Sequence, residues 1–184
     1  MTRDSTSRPA LVLPTLSAAS VTLRAFRLSD VALIHEAALD PVIPQITTVP
    51  TAPGESAAVE FIERQHGRLV SGQGYSFAIA DRADVAVGQI GLWPRDDDRA
   101  RASVGYWVAA SRRRQGHASA ALELVVDWVR GTLRITHLEL FVEPSNLSSQ
   151  RTAERAGFTF DSGLRERREI GGQITDVIGY SVKV

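Results

Sequence analysis

Arg112, Arg113 and Arg114 stand side by side, followed by Gln115, Gly116 and a run of helical period that starts at His117. The chemistry available to that grouping is the holding of an anion. A helix N-terminus leaves backbone N–H groups without intrahelical partners, all pointing at one spot, where a phosphate can settle. Gly116 lacks a Cβ, so the main chain from Gln115 to Ala118 can approach a pyrophosphate closely, and the three arginines supply charge around it. The turn carries neither the Gly-Lys-Ser/Thr of a nucleotide phosphate loop nor the three spaced glycines of a dinucleotide fingerprint, so another phosphate ligand is expected. From these residues alone, a solvated basic face remains the competing reading.

Other chemistries are narrowed by what the chain contains. It has no cysteine, which excludes disulfides, thiolate zinc sites and a cysteine nucleophile. His35, His66, His117 and His137 are scattered without metal-ligand spacing, so no metal is expected. Basic and acidic residues balance at 21 each. No long-range field therefore draws the protein to nucleic acid or to an anionic membrane, and any anion site must be local. The segment "ALVLPTLSAAS" has the small-residue end of a signal peptide, yet Pro14 and Thr15 interrupt it, and no run approaches the roughly 18 apolar residues of a membrane span. A cytoplasmic location is expected.

The elements that would position the basic turn can be read from period and punctuation. The 184 residues suffice for one domain with a sizeable core and are short for two, so 1–184 is read as a single domain. Residues 1 to about 20 lack a period and are expected to form a loose arm or short edge strand. "VTLRAF" reads as a strand. "LSDVALIHEAALD" reads as a helix capped by Ser29 or Asp30, with Val31, Leu33, Ile34, Ala37 and Ala38 on one face, stopping near Pro41. "PVIPQITTVPTAPG", with four prolines, predicts an irregular loop beside a cleft. "ESAAVEFIERQHGRLV" is helical; "YSFAIAD" and "VAVGQIGLW" form a hairpin turned at Asp81 to Asp84; "ASVGYWVAA" is a third strand leading into the basic turn and its helix. "HLELFVE" is a fourth strand, "SSQRTAERAG" a helix stopped by Gly157, and "QITDVIGYSVKV" the last strand. An antiparallel run followed by alternation predicts an α/β fold of three layers, a mixed sheet covered by helices.

"VGYWVAASRRRQGHASAALELVVDWV", followed by "LELFVEPSNLSSQRTAERAGF", resembles the GNAT N-acetyltransferase superfamily, and within it the RimJ/RimL-like branch of ribosomal-protein N-terminal acetyltransferases. "LRAFRLSD" is similar to that branch's opening strand and helix, and the resemblance runs from about Leu11 to the C-terminus. It implies a GNAT-like domain, its mostly antiparallel sheet split by a splayed strand pair, with acetyl-CoA as co-substrate. The family pattern Arg-x-x-Gly-x-Ala falls on Arg113, Gly116 and Ala118, which implies that the coenzyme A pyrophosphate is cradled by Arg113, Arg114, Gln115, Gly116, His117, Ala118 and Ser119. The His117 side chain is expected to face solvent. The pantetheine arm would lie between "GYWVA" and "LELFVEP", the backbone N–H of Val108 would polarise the thioester carbonyl, and Asn146 would bond the arm. Without the resemblance, Asn146 reads as a turn residue after Pro144.

With no cysteine, direct transfer inside a ternary complex is simpler than an acyl-enzyme. A peptide α-amine, with a pKa near 8, is about a tenth neutral at pH 7, whereas a lysine near 10.4 needs more help from a base. Many GNAT enzymes carry a tyrosine acid seven residues after the asparagine, a position held here by Ala153. The branch instead implies Ser149 as the acid meeting the sulfur, although a first-turn helix serine is the plainer reading of that residue. Glu169 is the candidate base, provided one residue is inserted near Asp161 to Gly163; "RERREI" is otherwise an ordinary charged strand or turn. Glu139 and Glu143 are its rivals, and Asp176 and Tyr180 match a family pattern that shapes the acceptor pocket. The expected function is acetyl-CoA-dependent transfer of an acetyl group to a primary amine, with a protein N-terminal α-amine as candidate acceptor. The alternatives are a small-molecule amine or longer-acyl transferase on the same fold, and a non-catalytic acyl-CoA-binding module. No nucleic-acid or membrane partner is expected, and oligomeric state is not readable.

Overall fold

A computed structural model describes residues 13–95, 98 and 100–184. Much of the expected N-terminal arm, 1–12, lies outside the described residues. The rest of the arm contributes β1 (Leu16–Ser17), and "VTLRAF" contributes β2 (Thr22–Arg24). A 3₁₀ turn (Leu28–Asp30) leads into α1 (Val31–Ala38), α2 (Ile43–Ile46) and α3 (Glu55–Val70). Then follow β3 (Tyr75–Ala80), β4 (Ala86–Pro94), β5 (Arg101–Val108), α4 (His117–Thr132), β6 (His137–Val142), α5 (Leu147–Arg155), β7 (Thr159–Ile170) and β8 (Gln173–Lys183). The strands form one sheet in the order β1-β2-β3-β4-β5-β6-β8-β7, antiparallel throughout except for the parallel pair β5 and β6.

Helices cover both faces, which is why every residue of β3 is buried. On one face Leu122, Val125, Val126 and Val129 of α4 recur at helical spacing and pack on Phe77, Ile90 and Val104. Trp128 closes that layer edge-on, 4.8 Å from the Tyr75 ring. On the other face Ile34 of α1 and Phe61 and Ile62 of α3 pack with Phe26 and Trp107. The three-layer expectation therefore holds.

The structure refines the local expectations at three places. Asp30 begins α1 but makes no side-chain cap bond. Its carboxylate is turned instead to the buried Arg24, which it meets through two bonds of 2.8 and 3.0 Å, and Asp84 takes the Arg24 Nε at 2.7 Å. A buried guanidinium needs that pairing more than the helix needs a cap. The proline-rich loop contains one helical turn, α2, because Pro44 sits in the first turn where its missing N–H costs nothing and Asp40 Oδ1 accepts from Val42 and Ile43 N–H. Finally, of the strand or turn expected at "RERREI", the strand is found, as part of β7 (Thr159–Ile170), an edge strand paired to β8. Its alternating charges are what an exposed sheet edge carries to discourage pairing with other chains.

The parallel ladder sets up the site. β5 and β6 pair at Arg101 with His137, Ala102 with Leu138 and Ser103 with Glu139, and no further. Beyond that point β5 stays paired to β4 as far as Val108, and β6 stays paired to β8 as far as Val142. The strands thus part from each other while each keeps its outer neighbour, which leaves backbone groups of Val104 to Val108 facing an opening.

Candidate active site

Two cavities meet at that opening. The first, of about 830 Å³, runs from the basic turn along the N-terminus of α4 to α5. Gly116 caps α4 with a left-handed φ of 81°, and a Cβ there would meet no protein atom within 4 Å. Its lack of a side chain thus leaves open space at the helix N-terminus, the fit expected of a phosphate cradle. Arg113, Arg114, Gly116, His117, Ala118, Ser119, Asn146 and Val108 all line this cavity, whereas Gln115 does not.

The arginines divide their duties. Arg112 pairs with Asp81 at 3.3 Å. Arg113 donates to Asp40 at 2.6 Å and to the Val108 carbonyl at 3.0 Å, tying the turn to the chain ahead of α2 and to the end of β5. Arg114, with a φ of 62°, makes no hydrogen bond or ion pair among the described residues and is the arginine left for a ligand. Backbone in this region is costly for a side-chain-bearing residue and clusters at functional turns. His117 corrects the expectation of a solvent-facing ring: it is 8% exposed, and neither ring nitrogen has a partner.

The Arg113 contact has a pH signature. Burial works against the Asp40 charge, but the N–H groups of Ile43 and Val42 and the Arg113 guanidinium outweigh it, holding the carboxyl below the usual carboxylate range. A folded pKa below the unfolded value of about 3.9 contributes stability that is fully present above that pH and lost as pH falls through the folded value. The urea midpoint difference between wild type and Asp40→Asn should therefore be largest at neutral pH and shrink below about pH 4. A difference independent of pH would remove the charge from this account.

Where the cavities meet, both are lined by Ile46, Tyr106, Trp107, Asn146 and Ser149. Asn146 is the N-cap of α5, its Oδ1 accepting from Ser149 N–H at 3.0 Å, so the cap fixes the serine and leaves the Asn146 amide NH₂ for other partners. Ser149 Oγ lies 2.9 Å from the Tyr106 hydroxyl. Tyr106 is a functional candidate that the motif reading missed. Burial pushes its phenol pKa up, while hydrogen bonding to Ser149 and Thr152 pulls the other way, and the net is a phenol more firmly protonated than usual. Ala153, at the position where the resemblance led one to look for a tyrosine acid, is fully buried. Ala109 N–H bonds to Val87 on the β4 side, and N–H groups alternate along a strand, so that of Val108 faces the opening.

The second cavity, of about 540 Å³, lies against the end of α3, α2 and the β7–β8 hairpin. Glu169 and Glu143 line it with carboxylates that make no hydrogen bond or ion pair among the described residues. Glu169 reaches the cavity past a bulge: Asp161 pairs with Gly179 and Arg165 with Ile178, which leaves Ser162, Gly163 and Leu164 unpaired where an insertion was expected. Gly179 accommodates the bulge, since a Cβ there would fall 2.2 Å from that of Leu164. The rival Glu139 is set aside: it is fully buried between Arg95 and Arg101 and lines neither cavity. Asp176 is 79% exposed and pairs with Arg167, and Tyr180 donates to Gln150, so neither shapes the acceptor pocket as expected. Gln89 joins the buried Trp107, Gln65 and Ser76 in one bonded network that fixes the cavity floor. Among the described residues no group of His, Asp or Glu is arranged to hold a metal, and no helix is long and apolar enough to cross a membrane.

Comparison with known proteins agrees with this geometry. The family profile described as an acetyltransferase (GNAT) domain matches residues 20–159. The chain is 25% identical over 171 residues to the "Uncharacterized N-acetyltransferase p20" of Bacillus licheniformis, covering 92% of this chain and 96% of that one. Among solved structures, Mycobacterium smegmatis RimJ in complex with CoA-disulfide superposes with a TM-score of 0.76 at 23% identity, over 94% of this chain and 87% of that one. RimL, a ribosomal L7/L12 α-N-protein acetyltransferase in complex with coenzyme A, gives 0.77 at 19%, over 93% and 98%.

Proposed function

The chain belongs to the GNAT acetyltransferase family, and from that premise we propose that it moves an acetyl group from acetyl-CoA directly to a primary amine, with a protein N-terminal α-amine as the favoured acceptor. The observation that carries this reading is the meeting of a phosphate-suited cavity and a carboxylate-lined cavity at the parted strands, with Ser149 and Tyr106 at the junction. A terminal amine is favoured because it is about a tenth neutral at pH 7, and because the likeness to an α-N-protein acetyltransferase gives the fold that precedent.

In the first cavity the α4 N-terminus, Arg113 to Ser119, would hold the pyrophosphate, and Asn146 would hold the pantetheine arm. Val108 N–H donates to the thioester oxygen as negative charge develops there. Glu169, from the second cavity, takes a proton from the attacking amine directly or through one water. The C–N bond forms, the C–S bond breaks, and the sulfur takes a proton from Ser149, which the Tyr106 phenol replaces; water restores the Tyr106 proton and removes the one on Glu169 as the products leave. Direct transfer asks nothing of a nucleophilic side chain, in keeping with a chain that has no cysteine.

The test is a calorimetric titration with acetyl-CoA, then thiol release against N-terminal peptides, polyamines and aminoglycosides. Binding with peptide-dependent release is expected, and Glu169→Gln should lose rate where Glu143→Gln keeps it. Release with small amines alone would move the acceptor to the small-molecule class. Binding without amine-dependent release would favour a non-catalytic acyl-CoA module.

A further inference from the structure

The carboxylate-lined cavity also contains a cation that the acetyl transfer above does not use. Arg68, at the end of α3, lines that cavity half-buried. Its guanidinium lies over the Trp93 ring at 5.6 Å from the centroid and donates to Thr48 Oγ1 at 3.3 Å. It has no carboxylate partner among the described residues. Burial and the like charge of Arg64 both work against its charge, so a bound anion would relieve a standing cost. Arg168, on the opposite wall, is different: it stacks on Phe141 and pairs with Glu166 at 2.9 Å.

The seat of Arg68 is built by sequence. Gly91 and Gly105 face each other across β4 and β5, and a Cβ on either would meet the Trp93 ring, at 2.4 and 3.2 Å. The ring therefore lies flat across the two glycines and carries the guanidinium above it. The ring lies over Gly105, the residue next to Tyr106 on β5, so the guanidinium seat borders the same cavity as the Tyr106–Ser149 junction.

We propose that Arg68, seated on Trp93, binds an anionic group of the acceptor, a carboxylate or phosphate carried near the reacting amine. This rests on the reading of the same cavity as the acceptor cleft. The charge pattern suits such a ligand: Glu169 answers the amine, and Arg68 answers the acid. A peptide with an acidic side chain within its first three residues would satisfy both.

The test is calorimetric titration of the CoA-loaded protein, which cannot transfer an acetyl group, with Ala-Ala-Glu-Ala-amide, its Gln counterpart and its phosphoserine counterpart. The Glu or phosphoserine peptide should bind about tenfold more tightly than the Gln peptide. The tighter of the two identifies carboxylate or phosphate as the anion. Arg68→Gln should erase the preference, and Arg68→Lys should keep part of it. Equal affinities, absence of binding by all three peptides, or a preference intact in Arg68→Gln would overturn the proposal. Repeating the titration without CoA separates the two readings, since a Glu-over-Gln preference there stands even if CoA itself fails to bind.

Discussion

Gly116→Glu should abolish coenzyme A binding, with affinity falling by more than about a hundredfold, while the domain stays folded. The local cost is small: the added Cβ meets no protein atom within 4 Å, although the left-handed φ of 81° is uncomfortable for a side chain. That strain is on the order of 1–2 kcal/mol. The effect on the ligand is large, because a carboxylate is placed at the helix N-terminus where the pyrophosphate would sit, satisfying the same N–H groups and repelling the same charge. Gly116→Ala separates the two causes, since it carries the strain without the charge and should weaken binding far less. Calorimetry with circular dichroism on both variants reads the result. Retained binding in a folded Gly116→Glu protein would remove the pyrophosphate from this turn.

Ser149→Ala should lower kcat by about a hundredfold, the scale of a lost general acid, while acetyl-CoA affinity changes little. The argument is positional. Ser149 N–H is held by the Asn146 cap, so the backbone stays in place when the hydroxyl goes. Tyr106 stands behind the hydroxyl at 2.9 Å, and Tyr106→Phe should cost less because it removes the replacement proton rather than the group at the sulfur. If the two act in series, the double variant should be no slower than Ser149→Ala alone. Single-turnover kinetics isolate the chemical step. An unchanged rate in Ser149→Ala with chemistry limiting would return the serine to a helix residue.

The motif residues were legible because their signals are local. The basic turn, Gly116 and the α4 period are contiguous, and Asn146 with Ser149 needs a single helical turn. The residues that escaped depend on partners far along the chain. Tyr106 meets Ser149 across 43 positions, although its place two residues before Val108, on the same side of β5, was a usable sign. His117 was expected outside, yet with Ala121 and Val125 it completes an i, i+4, i+8 stripe that faces the core. Glu139 looked like a free acid in a cleft strand, because no sequence pattern announces that Arg95 and Arg101 fold over it. Strand β7 was obscured by its charges, which report an exposed edge rather than a turn. Arg68 and Trp93 come from different elements and carry no motif at all.

The two cavities share the five residues at the parted strands and otherwise draw on largely separate parts of the chain. The cavity proposed for the donor belongs to the N-terminus of α4 and to α5, and α4 also forms the core and therefore tolerates little change. The cavity proposed for the acceptor adds, to a floor of sheet residues such as Leu140 and Val142, the end of α3 and the tip of the β7–β8 hairpin, surface that the core does not need. On that reading, evolution can rewrite which acceptor is served while leaving the donor unchanged, and a library confined to residues 165–174 should shift acceptor preference without loss of coenzyme A binding.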